Sequence, residues 1–288
     1  MEKKFNTITI VLISHRSKEL VVNFIKNLSK EIKILIVDNS DDLILKKAID
    51  EFDNVKIMFT KNKGYGSSIN FAKSHIKTKY FFVFSPDVKI IDNNIIELFQ
   101  KKIPTIDNFG ALGPRFMNVN NKTHKQSNID KEIDEIEAIH GSAMLFETSV
   151  FDKIGGFDEN IFLFFEEIDF CKRSRKMGYN IFQLNTARVI HPKGKRSGVV
   201  ETKNLNELKK LKNFYSWHFM WSKFYINQKQ YSYFLALIYF LPVAAKVEIK
   251  ILYYKIKKDK DNIEKYKARL SGLVNSMMKK KSNRRLNN

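Results

Sequence analysis

Short apolar runs and longer amphipathic stretches alternate over the first hundred residues: "TITIVLI", "SKELVVNFIKNLSK", "KILIVD", "LILKKAIDEF", "VKIMF", "YGSSINFAKSHI" and "YFFVFS". The apolar runs are rich in β-branched and aromatic residues, which predicts buried strands, while the stretches between them predict helices. Alternation of this kind predicts an α/β domain with a mainly parallel central sheet flanked by helices. Ligands of such sheets bind beyond the carboxyl ends of the strands. The candidate positions are therefore Ser14 and His15, Asp38 to Ser40, Lys61 to Tyr65, and Ser85 to Asp87.

Beyond Gly110 the pattern changes. "FGALGPRF" is followed by a polar, poorly periodic stretch from Asn118 to Glu137 and then by "IHGSAMLF", which predicts a strand. This region is expected to form a second sub-domain without an independent core. From Asn204 onward Phe214, Trp217, Trp221 and Phe224 recur at steps of three and four, a helical stripe that serves packing.

Composition adds compartment and partner. Hydrophobic residues make up 43% of the 288, an ordinary globular share, and the single cysteine, Cys171, excludes an internal disulfide or a thiolate zinc cluster. Both suit a reducing cytoplasm. The formal charge is +20, and residues 246–288 carry fourteen Lys and Arg against four acids. Upstream, "YSYFLALIYFLPVAA" is uncharged but shorter than a bilayer span and contains Pro242. "KVEIKILYYKIKK" then mixes lysines with apolar residues, as an interfacial helix does. The expectation is a basic helical extension that attaches peripherally to an anionic membrane surface. No helix-turn-helix, RNA-binding sheet or zinc-finger pattern accompanies the charge, so nucleic acid is not the expected partner.

Several residues carry candidate chemistry. "NKGYGSSIN" has two glycines of a dinucleotide-binding fingerprint, but Ile69 stands where the third belongs, which disfavours a Rossmann oxidoreductase. Asp87 ends an apolar run, where a carboxylate can hold a divalent cation bridging two phosphates. His191 follows another apolar run and precedes Lys193, Lys195 and Arg196, cations suited to diphosphate oxygens. In "FLFFEEIDFCKRSRKMG" the acids Glu166, Glu167 and Asp169 lead and the bases follow, the polarity a helix dipole favours, with Asp169 and Arg173 one turn apart.

Taken in order, "VDNS", "NKGYGSSIN", "SPD", "GGFDENIFLFFEEIDFCKR" and "HPKGKRS" resemble the inverting family-two glycosyltransferases of the GT-A fold, especially bacterial rhamnosyltransferases that use dTDP-rhamnose. The resemblance covers about residues 7 to 225. It implies a transferase domain over residues 1–225, with a nucleotide-binding half (1–110) and an acceptor-side half (111–200), and an extension over 226–288. It also implies a Mg²⁺ or Mn²⁺ ion on Asp87 and His191, and a nucleoside diphosphate sugar as donor.

Residue by residue, Ser14, Asp38 and Asn39 are implied as nucleoside contacts, and Asn62, Gly64, Tyr65 and Asn70 as the loop and helix start beneath the nucleotide. Glu167 matches the catalytic base, flanked by Glu166 and Asp169, with the preceding phenylalanines as an apolar wall or as packing. The implied acceptor is a glycan or lipid-linked glycan at the cytoplasmic face of the membrane. Two departures stand out: Ser85 replaces the usual asparagine before Pro86-Asp87, and Glu167 the usual aspartate. A UDP-sugar donor, a nucleotidyltransferase and a non-catalytic nucleotide-binding module are the competing readings.

Overall fold

The computed structural model describes residues 7–118, 130–191 and 204–286. They form two compact units: one holds the chain up to Phe157 and Glu167–Glu201, the other Asp158–Glu166 and the chain from Thr202.

The first unit is built on β1 (Ile8–Ser14), α1 (Lys18–Lys26), β2 (Lys33–Asp38), α2 (Leu43–Ile49), β3 (Val55–Phe59), α3 (Tyr65–Lys73), β4 (Tyr80–Phe84), β5 (Lys89–Ile90), α4 (Ile95–Lys102), β6 (Phe109–Phe116), β7 (Ile133–Glu135), β8 (Ala143–Glu147), α5 (Thr148–Ile154), α6 (Glu166–Lys176) and β9 (Asn180–Ile190). The described strands make one sheet in the order β3-β2-β1-β4-β8-β6-β9-β5, with β7 on β9. β1 pairs in parallel with β2 and β4, and β2 with β3. The later half is mixed: β8 runs antiparallel to both β4 and β6, while β9 is parallel to β6. The expectation of a mainly parallel sheet thus holds for the first half. The strands after residue 110 extend that same sheet, so they need no core of their own.

Strand periodicity divides the core between the two faces. Ile8, Ile10 and Leu12 of β1 join residues of α1, α2 and α4 in one cluster; Val11 and Ile13 join residues of α3, α5 and α6 in the other. Burying one such branched side chain stabilises by about 1.5–3 kcal/mol relative to leaving it in water. Cys171 lies in the second cluster, and burial pushes its thiol up to about 12, which leaves it inert as a nucleophile.

The second unit is helical: α7 (Leu205–Gln230), α8 (Tyr233–Ile256) and α9 (Lys260–Met277). The boundary expected near residue 225 falls inside α7, because Phe214, Trp217, Trp221 and Phe224 are all buried and α7 packs with its own unit. A Cβ on Gly272 would lie 2.2 Å from the Trp217 carbonyl oxygen, so the close approach of α9 to α7 requires glycine there.

The chain end is pinned to α7. Trp221 Nε1–H donates to the Lys280 carbonyl, and His218 sits between Ser282 Oγ and the Arg284 carbonyl at 3.0 Å each. Burial lowers the His218 imidazole to about 3, so it is neutral, with Nε2–H donating to Arg284 and Nδ1 accepting from Ser282. The unfolded chain takes up a proton near pH 6.5 that the native state refuses. Stability therefore falls as pH drops from 6.5 toward 3, by about 1.4 kcal/mol per unit from this group, and is unaffected above that window. Thermal melts between pH 7.5 and 4.5 will show this slope, and His218→Gln, which keeps a donor but does not titrate, will flatten it. An unchanged slope would remove His218 as its source.

Candidate active site

The ends of the first two strands are tied together by side chains. His15 Nδ1–H donates to Asn39 Oδ1 at 2.7 Å, Asn39 Nδ2–H to Ser68 Oγ at 3.4 Å, and Ser68 Oγ–H to the Gly64 carbonyl at 3.0 Å. Burial lowers the His15 imidazole below its ordinary range, which favours the neutral ring. Ser14 is fully buried, with its hydroxyl 3.2 Å from Ser17 Oγ. Asp38 is also fully buried; its Oδ1 accepts the N–H groups of Ser40 and Asp42, and the Ser40 hydroxyl bonds both carboxylate oxygens. These contacts make Asp38 the organiser of the loop after β2.

Asn62 Oδ1 accepts the Gly64 N–H at 3.3 Å, and Gly64, at φ +115°, turns the chain into α3, a conformation that L side chains rarely adopt. Tyr65 opens α3 and donates its hydroxyl to the Gly141 carbonyl at 3.0 Å. Asn70, expected beneath the nucleotide, is engaged elsewhere: its amide exchanges two 2.9 Å hydrogen bonds with the backbone of Phe157. Gly156 lies beneath it at φ +64°, and a Cβ there would come 2.7 Å from Asn70 Oδ1. Asn70 thus clamps the Gly155-Gly156-Phe157 turn.

The two residues paired as metal ligands meet. Asp87 Oδ2 is 3.4 Å from His191 Nε2, with side-chain exposures of 4% and 16%. His191 is fixed from behind by Asn118, which accepts its backbone N–H and donates to its carbonyl. Among the described residues no three His, Cys, Asp or Glu side chains gather as a cage. One carboxylate and one imidazole fit a divalent ion that completes its shell with phosphate oxygens and water; the carboxylate and those oxygens suit Mg²⁺ or Mn²⁺, and the imidazole favours the transition metal of the two. Lys193, Lys195 and Arg196 lie outside the described residues.

The connection between this pair and the acids is a turn that sequence reading took for strand. β8 begins only at Ala143, and His140-Gly141-Ser142 precede it. The Ser142 carbonyl accepts the Ser85 N–H at 2.8 Å, and His140 Nδ1 accepts the Ser142 N–H at 3.2 Å. The His140 ring lies 5.3 Å from that of His191. Gly141 lies against Glu167: a Cβ there would sit 3.5 Å from Glu167 Cδ. The signal in the sequence was the His-Gly-Ser tripeptide, three turn-compatible polar residues ahead of an apolar run.

Around Glu167, the acids separate by environment. Glu166 and Asp169 are buried, and Glu167 is partly exposed. Asp169 Oδ2 accepts from Arg173 Nε at 2.8 Å, and the same guanidinium donates to the carbonyls of Ile154 and Gly156. The helical spacing of Asp169 and Arg173 is borne out, and the pair is a buried clasp rather than a weak surface one. Of the preceding phenylalanines, Phe162 packs on Phe214 and His218, Phe164 on Tyr215 and Phe219, and Phe165 on Phe219, which answers to the packing alternative. Phe164 and Phe165 stand at φ +72° and +69°, a left-handed pair that bulky residues hold only when their surroundings impose it.

Chains with a similar fold define the class. Over 96% of this chain and 88% of the other, the backbone is similar to that of the mannosyltransferase PcManGT from Pyrobaculum calidifontis, solved in complex with GDP-Man and Mn²⁺, with a TM-score of 0.58 and 12% identity. This is the GT-A glycosyltransferase fold. The model of glycosyl transferase family 2 matches residues 9–170, more than half the chain, and the protein belongs to that family. Among its relatives, the low-salt glycan biosynthesis hexosyltransferase Agl10 of Haloferax volcanii is 27% identical over 206 residues, 64% of this chain and 66% of that one. This chain thus spans just under two thirds of that relative. The N-acetylglucosaminyl-diphospho-decaprenol L-rhamnosyltransferase of Mycobacterium tuberculosis is 22% identical over 240 residues, covering 67% of this chain and 78% of its own.

Proposed function

We propose that this protein is an inverting, metal-dependent glycosyltransferase that moves a sugar, best read as L-rhamnose from dTDP-rhamnose, onto a hydroxyl of a glycan or lipid-linked glycan. The observation that carries it is the His140-Gly141-Ser142 turn, which joins the Asp87–His191 pair to Glu167 within one unit. Relatives named as hexosyl- and rhamnosyltransferases support the donor class, and one of them bears a lipid-diphosphate acceptor in its name. A cytoplasmic protein peripheral to the membrane fits that acceptor.

Asp87 and His191 would hold Mg²⁺ or Mn²⁺, which supplies charge neutralisation for the departing nucleoside diphosphate. Ser14, Asp38 and Asn39 shape the strand-end loops that receive the nucleoside, and Asn62, Gly64 and Tyr65 set the start of α3 beneath it. Lys193, Lys195 and Arg196 add positive charge toward the diphosphate. Glu167 removes the proton from the acceptor hydroxyl. That oxygen bonds to the anomeric carbon from the face opposite the diphosphate, the carbon–oxygen bond to the diphosphate breaks, and its electron pair leaves with the nucleotide. The anomeric carbon inverts.

A thermal-shift panel of dTDP-, UDP- and GDP-sugars, with and without Mn²⁺, tests donor and metal together. At about a hundredfold excess over Kd, the matching donor with Mn²⁺ will raise Tm by roughly 5–10 °C, and Asp87→Ala will abolish the part that needs Mn²⁺. No shift with any donor would defeat the reading, and pyrophosphate release instead of nucleoside diphosphate would identify a nucleotidyltransferase.

A further inference from the structure

Helix α8 carries apolar residues on two opposite faces. Ala236, Phe240, Val247 and Ile251 are buried on one. On the other, Phe234, Ile238, Leu241, Ile249, Leu252 and Ile256 are exposed by 58–81%. With Ala245, also exposed, these positions advance by steps of three and four, so they form a single stripe along the whole helix. At 1.5 Å per residue the 24-residue helix is about 36 Å long. An exposed apolar strip of that length marks a contact surface rather than scattered surface residues.

We propose that this face of α8 lies in the headgroup plane of an anionic bilayer. A spanning role is not available, since no described helix is long and apolar enough to cross a membrane. Charge selects the occupant. At 100° per residue Lys246 and Lys257 fall together on one flank of the stripe, with Tyr239 and Tyr253, and Lys255 and Glu248 lie on the other, while Lys250, farther round, donates to the Tyr266 hydroxyl at 3.1 Å. Lysines bordering apolar side chains reach anionic headgroups while the stripe enters the acyl boundary, and exposed tyrosines suit the interface between them. A second copy of the chain would instead bring two strongly basic extensions together, each with fourteen cations and four acids over residues 246–288. The inference rests on the proposed function only in that a surface-bound enzyme suits a lipid-carried acceptor.

Flotation of the full-length protein with vesicles of phosphatidylglycerol and phosphatidylcholine tests it. The wild type will float with the anionic vesicles and hardly with pure phosphatidylcholine. Ile238→Glu with Ile249→Glu will lower the bound-to-free ratio at least about a hundredfold, since each removes one large apolar anchor. Lys246→Ser with Lys257→Ser will reduce binding to anionic vesicles and flatten its dependence on salt, because the part of the binding that salt screens is smaller. All four positions are exposed, so folding should be kept; circular dichroism checks it, and the donor thermal shift of each variant shows whether the active-site reading stands independently. Equal flotation of wild type and the isoleucine variant overturns the proposal. So does a wild-type dimer that this variant dissociates, with no vesicle binding by either, which would assign the face to a second copy.

Discussion

Glu167→Gln will lower sugar transfer by about 10²–10⁴-fold while donor binding stays within a few-fold, because the amide keeps the size of the side chain and cannot take a proton. The position supports this assignment better than the residue type does. Of the three acids that open α6, Asp169 is bound up with Arg173 and Glu166 is buried, whereas Glu167 is partly exposed and lies against Gly141. Nucleoside diphosphate release at saturating donor and acceptor reads the turnover, and calorimetry reads donor affinity. Near-normal turnover in the variant would remove Glu167 as the base. Glu167→Asp separates geometry from charge: it restores the residue more common in the family but withdraws the carboxylate by one methylene. A misplacement of that order costs up to about 100-fold, so an intermediate rate is expected.

Much of the sheet was legible in the sequence because its strands are short runs of β-branched and apolar residues, whether buried like β2 or at the sheet edge and partly exposed like β3. "KILIVD" and "VKIMF" coincide with β2 and β3 residue for residue. The pairing of Asp87 with His191 came from the resemblance to the family, and the two side chains meet at 3.4 Å. Other features depend on tertiary neighbours. Nothing local says that Asn70 reaches the backbone of Phe157, 87 positions away, or that Asp169 is sealed by Arg173 and two carbonyls. The His140 turn was masked by its apolar sequel, and α8 by Pro242, which sits inside the helix rather than ending it. In the extension the charge pattern marks only the lysines from residue 246, while the exposed apolar stripe of α8 begins at Phe234, in the uncharged stretch before them.

Asp169 separates architecture from chemistry. Asp169→Ala is expected to destabilise the first unit by about 3–5 kcal/mol, because it strands a partly buried guanidinium whose other donors already hold Ile154 and Gly156. The same two carbonyls flank the glycine turn that Asn70 clamps from α3, so the loss spreads to the entry of the segment leading to Glu167. Urea unfolding followed by intrinsic fluorescence measures the cost. Asp169→Ala combined with Arg173→Met, which removes both charges and keeps the apolar stem, should recover part of it, as replacement of buried pairs often does. A direct role in the reaction makes the opposite prediction: an unchanged midpoint in Asp169→Asn with turnover lost, unrepaired by any change at Arg173.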